Sequence, residues 1–256
     1  MNAFCRPSTT WPNVHTACSK TTERSAIVTV RPWCPGDEIG VWKVLKDGSF
    51  SNVRVSFLLV LKKRVTSAVV VGVGSFALGY SRYFAAALLT VAVTLCSLYC
   101  LTWLFTLMYL YGPPLWDMKN VTKNYFSDED SGFWVAEFKG QVVGTIAIVK
   151  REHGKCGHQK CLKNKVDDVE KVAWLRRMAV LRECRGRGVA KSLVETAVQF
   201  CKSRDYDKVE LITTEVHQAA RKLYEKCGFT CTAYLPHKYW KGLVRIWTYE
   251  YELPLR

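Results

Sequence analysis

Between Val65 and Gly112 the chain carries one formal charge, Arg82, and no soluble domain of this size normally places such a stretch in its fold. The run belongs in a bilayer, and the rest of the chain must fold around it. Arg82 divides it into Val65 to Tyr80, interrupted by Gly72, Gly74 and Gly79, and Tyr83 to Tyr111, rich in Leu, Ala, Val and Phe. A perpendicular crossing takes about 20 helical residues, so only the second piece is long enough to cross alone. Lys62, Lys63 and Arg64 precede the run, Lys119 and Lys123 follow it, and basic flanks mark the cytosolic side of a membrane. Both ends are therefore expected on that side, as two passes or a re-entrant hairpin, with Arg82 at or near the tip and snorkelling to the far interface. The alternative is one crossing by the second piece, with the first lying at the interface.

At 256 residues the chain has room for one catalytic domain beside this insert, and not for two large cores. Residues 1–24 hold Ser, Thr, Pro and Asn with no apolar run of the kind a secretory signal needs, and are expected to be a disordered leader. Residues 25–64 read as a first strand from Ile27 and a helix over Asp37 to Asp47, residues 65–112 as the membrane hairpin, and residues 113–256 as the remainder of the same domain. A single crossing would leave the Ile27 strand on the wrong side of the bilayer from the strands that follow Trp116, which favours the hairpin.

After the run, Val121 to Phe126 predicts a short helix. Phe133 to Phe138 and Val142 to Val149 predict two antiparallel strands around the turn Lys139-Gly140-Gln141. A charged loop from Lys150 to Asp168 precedes a strand over Val172 to Val180. A helix over Val189 to Ser203, a strand over Val209 to Thr214, a helix over Gln218 to Lys226 and two last strands complete the chain. Strands on both sides of a strand-helix-strand-helix unit imply an α/β domain with a mixed central sheet. The net charge of +15 is compatible with nucleic acid, anionic lipid or a polyanionic cofactor. Its spread along the chain, with so much apolar sequence committed to lipid, argues against nucleic acid. Eleven cysteines lie scattered through apolar runs, and reduced thiols are expected instead of a disulfide framework.

The chemistry concentrates in Met178 to Leu193, where a strand enters a turn with Arg185, Gly186, Arg187 and Gly188, and an amphipathic helix leaves it through Val189, Ala190 and Lys191. Such a turn gathers backbone N–H groups at a helix N-terminus, whose unpaired donors and positive dipole end bind phosphate oxygens. The glycines permit close approach and the arginines add cations, so a pyrophosphate is the natural ligand. No Gly-Lys-Ser or Gly-Lys-Thr closes the loop as in a P-loop, and the G-x-G-x-x-G of dinucleotide folds is missing.

The spacing of Arg185, Gly188 and Ala190 resembles the Arg-x-x-Gly-x-Ala loop of the GNAT superfamily of N-acetyltransferases, and Leu223-Tyr224 to Gly228-Phe229 resembles that superfamily's second signature. The resemblance runs from about Ile27 to Leu253 and implies the GNAT fold, acetyl-CoA as cosubstrate, and Met178 and Val180 as main-chain ligands of its pantetheine arm. It also implies Tyr224 as the acid that protonates the leaving thiolate. His217 stands where the superfamily often has Asn, so the arm is expected to be held differently. A hydrophobic insert followed by Ser131 to Glu137 resembles the camello-like, N-acetyltransferase-8-like group of the endoplasmic reticulum. That narrower likeness implies an amine acceptor: a small amino acid, a cysteine S-conjugate or a protein lysine.

The incoming ammonium must lose a proton, and Glu210, His217 and Glu170 are the candidate bases. His153, Cys156, His158 and Cys161 match no familiar zinc spacing, and no metal is expected. Tyr239 and Trp240, and the alternating Trp247, Tyr249 and Tyr251, read as packing residues. From another class of function, a membrane adaptor that retains the fold without catalysis would share these features.

Overall fold

The structure is a computed structural model and describes residues 28–81, 83–151, 170–239 and 244–256. The expectations for the leader, Arg82, the loop His153 to Cys161 and Trp240 lie outside the described residues. In chain order the elements are β1 (Thr29–Pro32), α1 (Glu38–Phe50), α2 (Val53–Leu61), α3 (Arg64–Ser81) and α4 (Phe84–Tyr111). A 3-10 segment (Pro113–Asn120), α5 (Val121–Tyr125), β2 (Gly132–Phe138), β3 (Gln141–Lys150) and β4 (Val172–Val180) follow. The chain ends with α6 (Val189–Ser203), β5 (Lys208–Thr214), α7 (Gln218–Lys226), β6 (Thr230–Tyr239) and β7 (Val244–Pro254).

The seven strands form one mixed sheet in the order β1-β2-β3-β4-β5-β7-β6, parallel only between β4 and β5. Consecutive positive φ angles at Lys139 and Gly140, 51° and 75°, give the β2–β3 turn the twist that a two-residue hairpin needs. Alternation then distributes β2 over two cores. Trp134 and Ala136 pack with α6 through Leu193, Val194 and Ala197, while Phe133 and Val135 pack with α1 through Val41 and Leu45. The sheet is thus covered on both faces, as the mixed α/β reading requires.

Parallel pairing of β4 with β5 is short. It joins Val172 to Lys208, Ala173 to Val209 and Trp174 to Glu210, and stops there, although β4 runs on to Val180 and β5 to Thr214. Beyond that crotch the two strands diverge into a fork, and among the described residues no strand pairing bridges the gap.

Two details depart from the sequence reading. Residues 25–64 contain two helices, α1 and α2, broken at Ser51–Asn52, where the Asn52 side chain donates to the Gly48 carbonyl at 2.9 Å. The apolar run also does not stand wholly apart from the domain. Leu110, at the end of α4, is 0% exposed and packs with Val41 and Leu45 of α1, and Trp103 and Tyr99 lie against Phe50 and Phe57. The remaining parts of α3 and α4 pack on each other, so closely that a Cβ on Gly74 would fall 2.8 Å from Val91 Cγ2. Their outward side chains are bare: Phe76, Tyr83 and Leu89 are exposed. Among the described residues one helix, the run that starts at Phe84, is long and apolar enough to cross a bilayer.

Candidate active site

The turn between β4 and α6 needs both of its glycines. Gly186 and Gly188 sit at φ 74° and 83°, the left-handed region that side-chain-bearing residues rarely adopt, and Gly188 is the residue from which α6 starts. No side chain caps that helix; the first helical bond runs from Ser192 N to Gly188 O at 3.1 Å. Among the described residues the amides of Gly186 to Lys191 have no protein acceptor. Nothing lies within 4 Å of the position a Gly186 Cβ would take, so the loop faces open space. Six successive donors at a helix N-terminus, without competitors, form a concavity suited to a diphosphate.

The loop is braced from behind by α1. Asp47 Oδ2 accepts from Arg182 N at 2.7 Å, and the Arg185 guanidinium donates to Val180 O and to Ser51 Oγ, each at 3.0 Å. Sequence reasoning treated Arg185 as a free cation for phosphate and missed Asp47 and Ser51, because partners some 134 residues apart leave no local signal. Lys191 pairs with Glu195 at 3.6 Å along the exposed face of α6, so its amide is its contribution to the loop. Arg187 lines a hollow of about 270 Å³ with Lys43, Lys139 and Cys184, and a second hollow of about 460 Å³ opens beside Lys191, Glu195 and Lys226. These flanking, partly cationic hollows leave room for the rest of a phosphate-bearing ligand.

Met178 and Val180 lie on the limb of β4 past the crotch, where an extended ligand can pair with the main chain as an added strand does; the Val180 carbonyl there already accepts from Arg185, whereas Met178 has no register partner. Glu210 marks the crotch itself. Its carboxylate is engaged by Arg151 and lies 3.5 Å from Lys208, which also holds Glu170 at 2.8 Å and Glu252 at 3.6 Å. Both candidate carboxylate bases are therefore committed to cations.

His217 is differently placed. It is solvent-exposed just before α7, with Nδ1 3.0 Å from Thr214 Oγ1. Crowding by surrounding atoms, and then the charge of Arg185, lower its pKa below the ordinary 6.5. The imidazole beside the phosphate-type loop is accordingly neutral at pH 7. Tyr224 is buried at 5% exposure between Phe229 and Tyr251, with ring centroids 5.7 and 6.2 Å away. Burial pushes its phenol well above the usual value, so it keeps its proton. Its hydroxyl forms no hydrogen bond among the described residues. A core tyrosine placed only for packing usually finds a partner for that group.

Comparison with known proteins adds a separate line of evidence. Residues 97–229 match the acetyltransferase (GNAT) family. The chain is 38% identical over 116 residues to N-acetyltransferase 8 of Rattus norvegicus, covering 45% of this chain and 47% of that protein. It is 39% identical over 113 residues to N-acetylaspartate synthetase of Danio rerio, 44% of this chain and 34% of the relative. A longer alignment, 29% identical over 207 residues, joins it to N-acetyltransferase family 8 member 3 of Rattus norvegicus, 79% and 84% of the two chains. The chain thus spans about half the length, or less, of the first two relatives.

Proposed function

Since the chain belongs to the acetyltransferase (GNAT) family, we propose that it is a membrane-anchored N-acetyltransferase that moves the acetyl group of acetyl-CoA onto the amine of a small amino acid or cysteine S-conjugate. The observation that carries this reading is the run of unpartnered amides from Gly186 to Lys191 at the mouth of the β4–β5 fork. A diphosphate on those amides and an extended arm along Met178 and Val180 lead the thioester toward the crotch. The relative named N-acetylaspartate synthetase supports an amino-acid acceptor.

In this proposal the neutral amine attacks the thioester carbonyl carbon, the tetrahedral intermediate expels the coenzyme thiolate, and no covalent enzyme intermediate forms. His217 is the base best suited to take the ammonium proton, because it is neutral where Glu210 and Glu170 are ion-paired. Tyr224 keeps its proton and an unengaged hydroxyl, so it can donate to the departing sulfur.

Helix lengths support the anchor. The 18 residues of α3 rise about 27 Å, close to the roughly 30 Å of a hydrocarbon core, and the 28 residues of α4 exceed it. A hairpin over residues 65–112 then returns the chain to its own side, which we propose is the cytosolic face of the endoplasmic reticulum. The C-terminal part of α4, from Tyr99 to Leu110, is the part docked on α1 and α2.

Labelled acetyl-CoA offered with a panel of amino acids, cysteine conjugates and lysine peptides tests the activity and ranks the acceptors. Binding of acetyl-CoA with no acetylated product from any amine would favour a non-catalytic adaptor.

A further inference from the structure

Two consecutive arginines, Arg176 and Arg177, break the alternation of β4, and the strand answers with a bulge. Thr145 of β3 pairs with Ala179 and Ala147 with Arg176, so Arg177 and Met178 both fall opposite Ile146. Arg177 takes φ 55°, a left-handed conformation unusual for a long side chain and held only where its surroundings over-determine it. The fully buried Thr145 fixes its carbonyl, donating through Oγ1 at 2.7 Å.

The side chain is held from the other direction by the segment that leaves the apolar helices. With 7% of its side chain exposed, Arg177 donates through Nε and Nη2 to the two oxygens of Asp117, at 2.9 and 2.6 Å, and through Nη2 to Pro114 O at 2.5 Å. This is a two-pronged guanidinium–carboxylate pair, the geometry that a lysine cannot reproduce. Asp117 accepts a further bond from the hydroxyl of the buried Tyr125. Burial alone would raise the Asp117 pKa, yet the Arg177 contact holds it below the ordinary carboxylate value, so the pair is ionised at neutral pH. Pro114 and Asp117 lie in the 3-10 segment directly after α4.

We propose that Arg177 is a positioning residue for the acetyl donor: its grip on Asp117 and Pro114 fixes the β4 bulge that leaves Met178 without a register partner on either neighbouring strand, and ties that bulge to the end of the membrane helix. The inference rests on the reading that the donor's arm runs along this limb of β4. On that reading the main-chain groups of Met178 are available to the arm because the bulge keeps them out of the β3 ladder.

The test uses the full chain in lipid nanodiscs. Replacing both partners, Arg177→Met with Asp117→Leu, and Tyr125→Phe with them, removes the two charges together and takes away the buried hydroxyl that Asp117 accepts from, so no unpaired charge is left in the interior. The triple variant is expected to unfold near the wild-type temperature. Its KM and Kd for acetyl-CoA should rise about five- to tenfold, the worth of one or two main-chain hydrogen bonds. The acceptor KM and the kcat at saturating acetyl-CoA should move far less. Wild-type affinity for acetyl-CoA in that variant overturns the proposal while leaving the enzyme activity standing; a wild-type protein that binds no acetyl-CoA overturns the underlying reading instead. Should the triple variant not fold, Arg177→Lys keeps the charge and loses the two-pronged contact. A several-fold rise in acetyl-CoA KM at unchanged melting temperature supports the role, and an unchanged KM contradicts it.

Discussion

Helices α3 and α6 both carry many apolar side chains and end in opposite environments. In α6 the apolar side chains recur on one stripe, Val189, Leu193, Val194, Ala197 and Phe200, and that stripe is buried on the sheet. In α3 they surround the axis, and no residue is buried. Periodicity differs as well as hydrophobicity: α6 interrupts its apolar stripe with Lys191, Glu195 and Lys202, and one sheet face satisfies the stripe, whereas an apolar surface that runs round the axis calls for an apolar environment on more than one side. On the proposed function the two regions separate tasks, with coenzyme binding at the start of α6 and anchorage in α3–α4. Arg177 and Asp117 are the place where they meet.

If the separation holds, damage to the site should leave membrane partition intact. Tyr224→Phe is expected to have the largest effect, lowering kcat by about 10²–10⁴-fold, the usual worth of a general acid. Acetyl-CoA should still bind and the protein should still sediment with membranes. Single-turnover rates with titration calorimetry check this, and a kcat within a factor of about two of wild type removes Tyr224 from the mechanism.

The converse change is Leu89→Arg on the bare face of α4, which adds about 2.5–3.5 kcal/mol to the cost of crossing a bilayer. The extractable fraction in alkaline carbonate should rise sharply, with coenzyme affinity in detergent unchanged. A variant that loses both together would show that the regions are not separable.

Gly188→Val probes the binding region alone. A β-branched residue at φ 83° is strained by about 1–3 kcal/mol, and the amide array loses its shape. Affinity for acetyl-CoA should fall about tenfold, each factor of ten being about 1.4 kcal/mol, while membrane association stays as it was. Calorimetry and flotation report the two quantities independently.

The smallest expected effect is on pH dependence. With its pKa lowered below 6.5, His217 is neutral at pH 7, and activity should be lost on the acid side as it gains a proton. Arg185→Gln removes one cause of the lowering, so the acidic limb of kcat, measured at saturating acetyl-CoA, should move to higher pH. His217→Asn should abolish the limb; if the limb persists, another group is the base.

Local pattern made most of this fold readable. Gly and Pro punctuation and alternation gave β2, β3 and β4, and the stripe on α6 gave its span from Val189 to Ser203. The helical reading runs only from Asp37 to Asp47, and the short apolar stretch of α2, Val53–Leu61, between that helix and the membrane run, receives no element of its own. The site was half legible. Gly186 and Gly188 announce a left-handed turn, and Tyr224 announces itself by its distance before Gly228-Phe229. The divergence of β5 from β4, the brace of Asp47 and Ser51 behind the loop, and the ion pairs that occupy Glu210 are tertiary facts between distant segments. The one trace of the bulge was the Arg176-Arg177 doublet, which interrupts an otherwise apolar strand and signals that a side chain there must find a buried partner.

The central claim is that the amides of Gly186 to Lys191 hold the coenzyme's diphosphate. Hydrogen–deuterium exchange of this peptide, with and without acetyl-CoA, measures it most directly, since donors without an acceptor exchange fast until one arrives. The account predicts rapid exchange in the free protein and clear protection at saturating acetyl-CoA. Unchanged exchange across Gly186 to Lys191, in a protein that demonstrably binds the coenzyme, would contradict it.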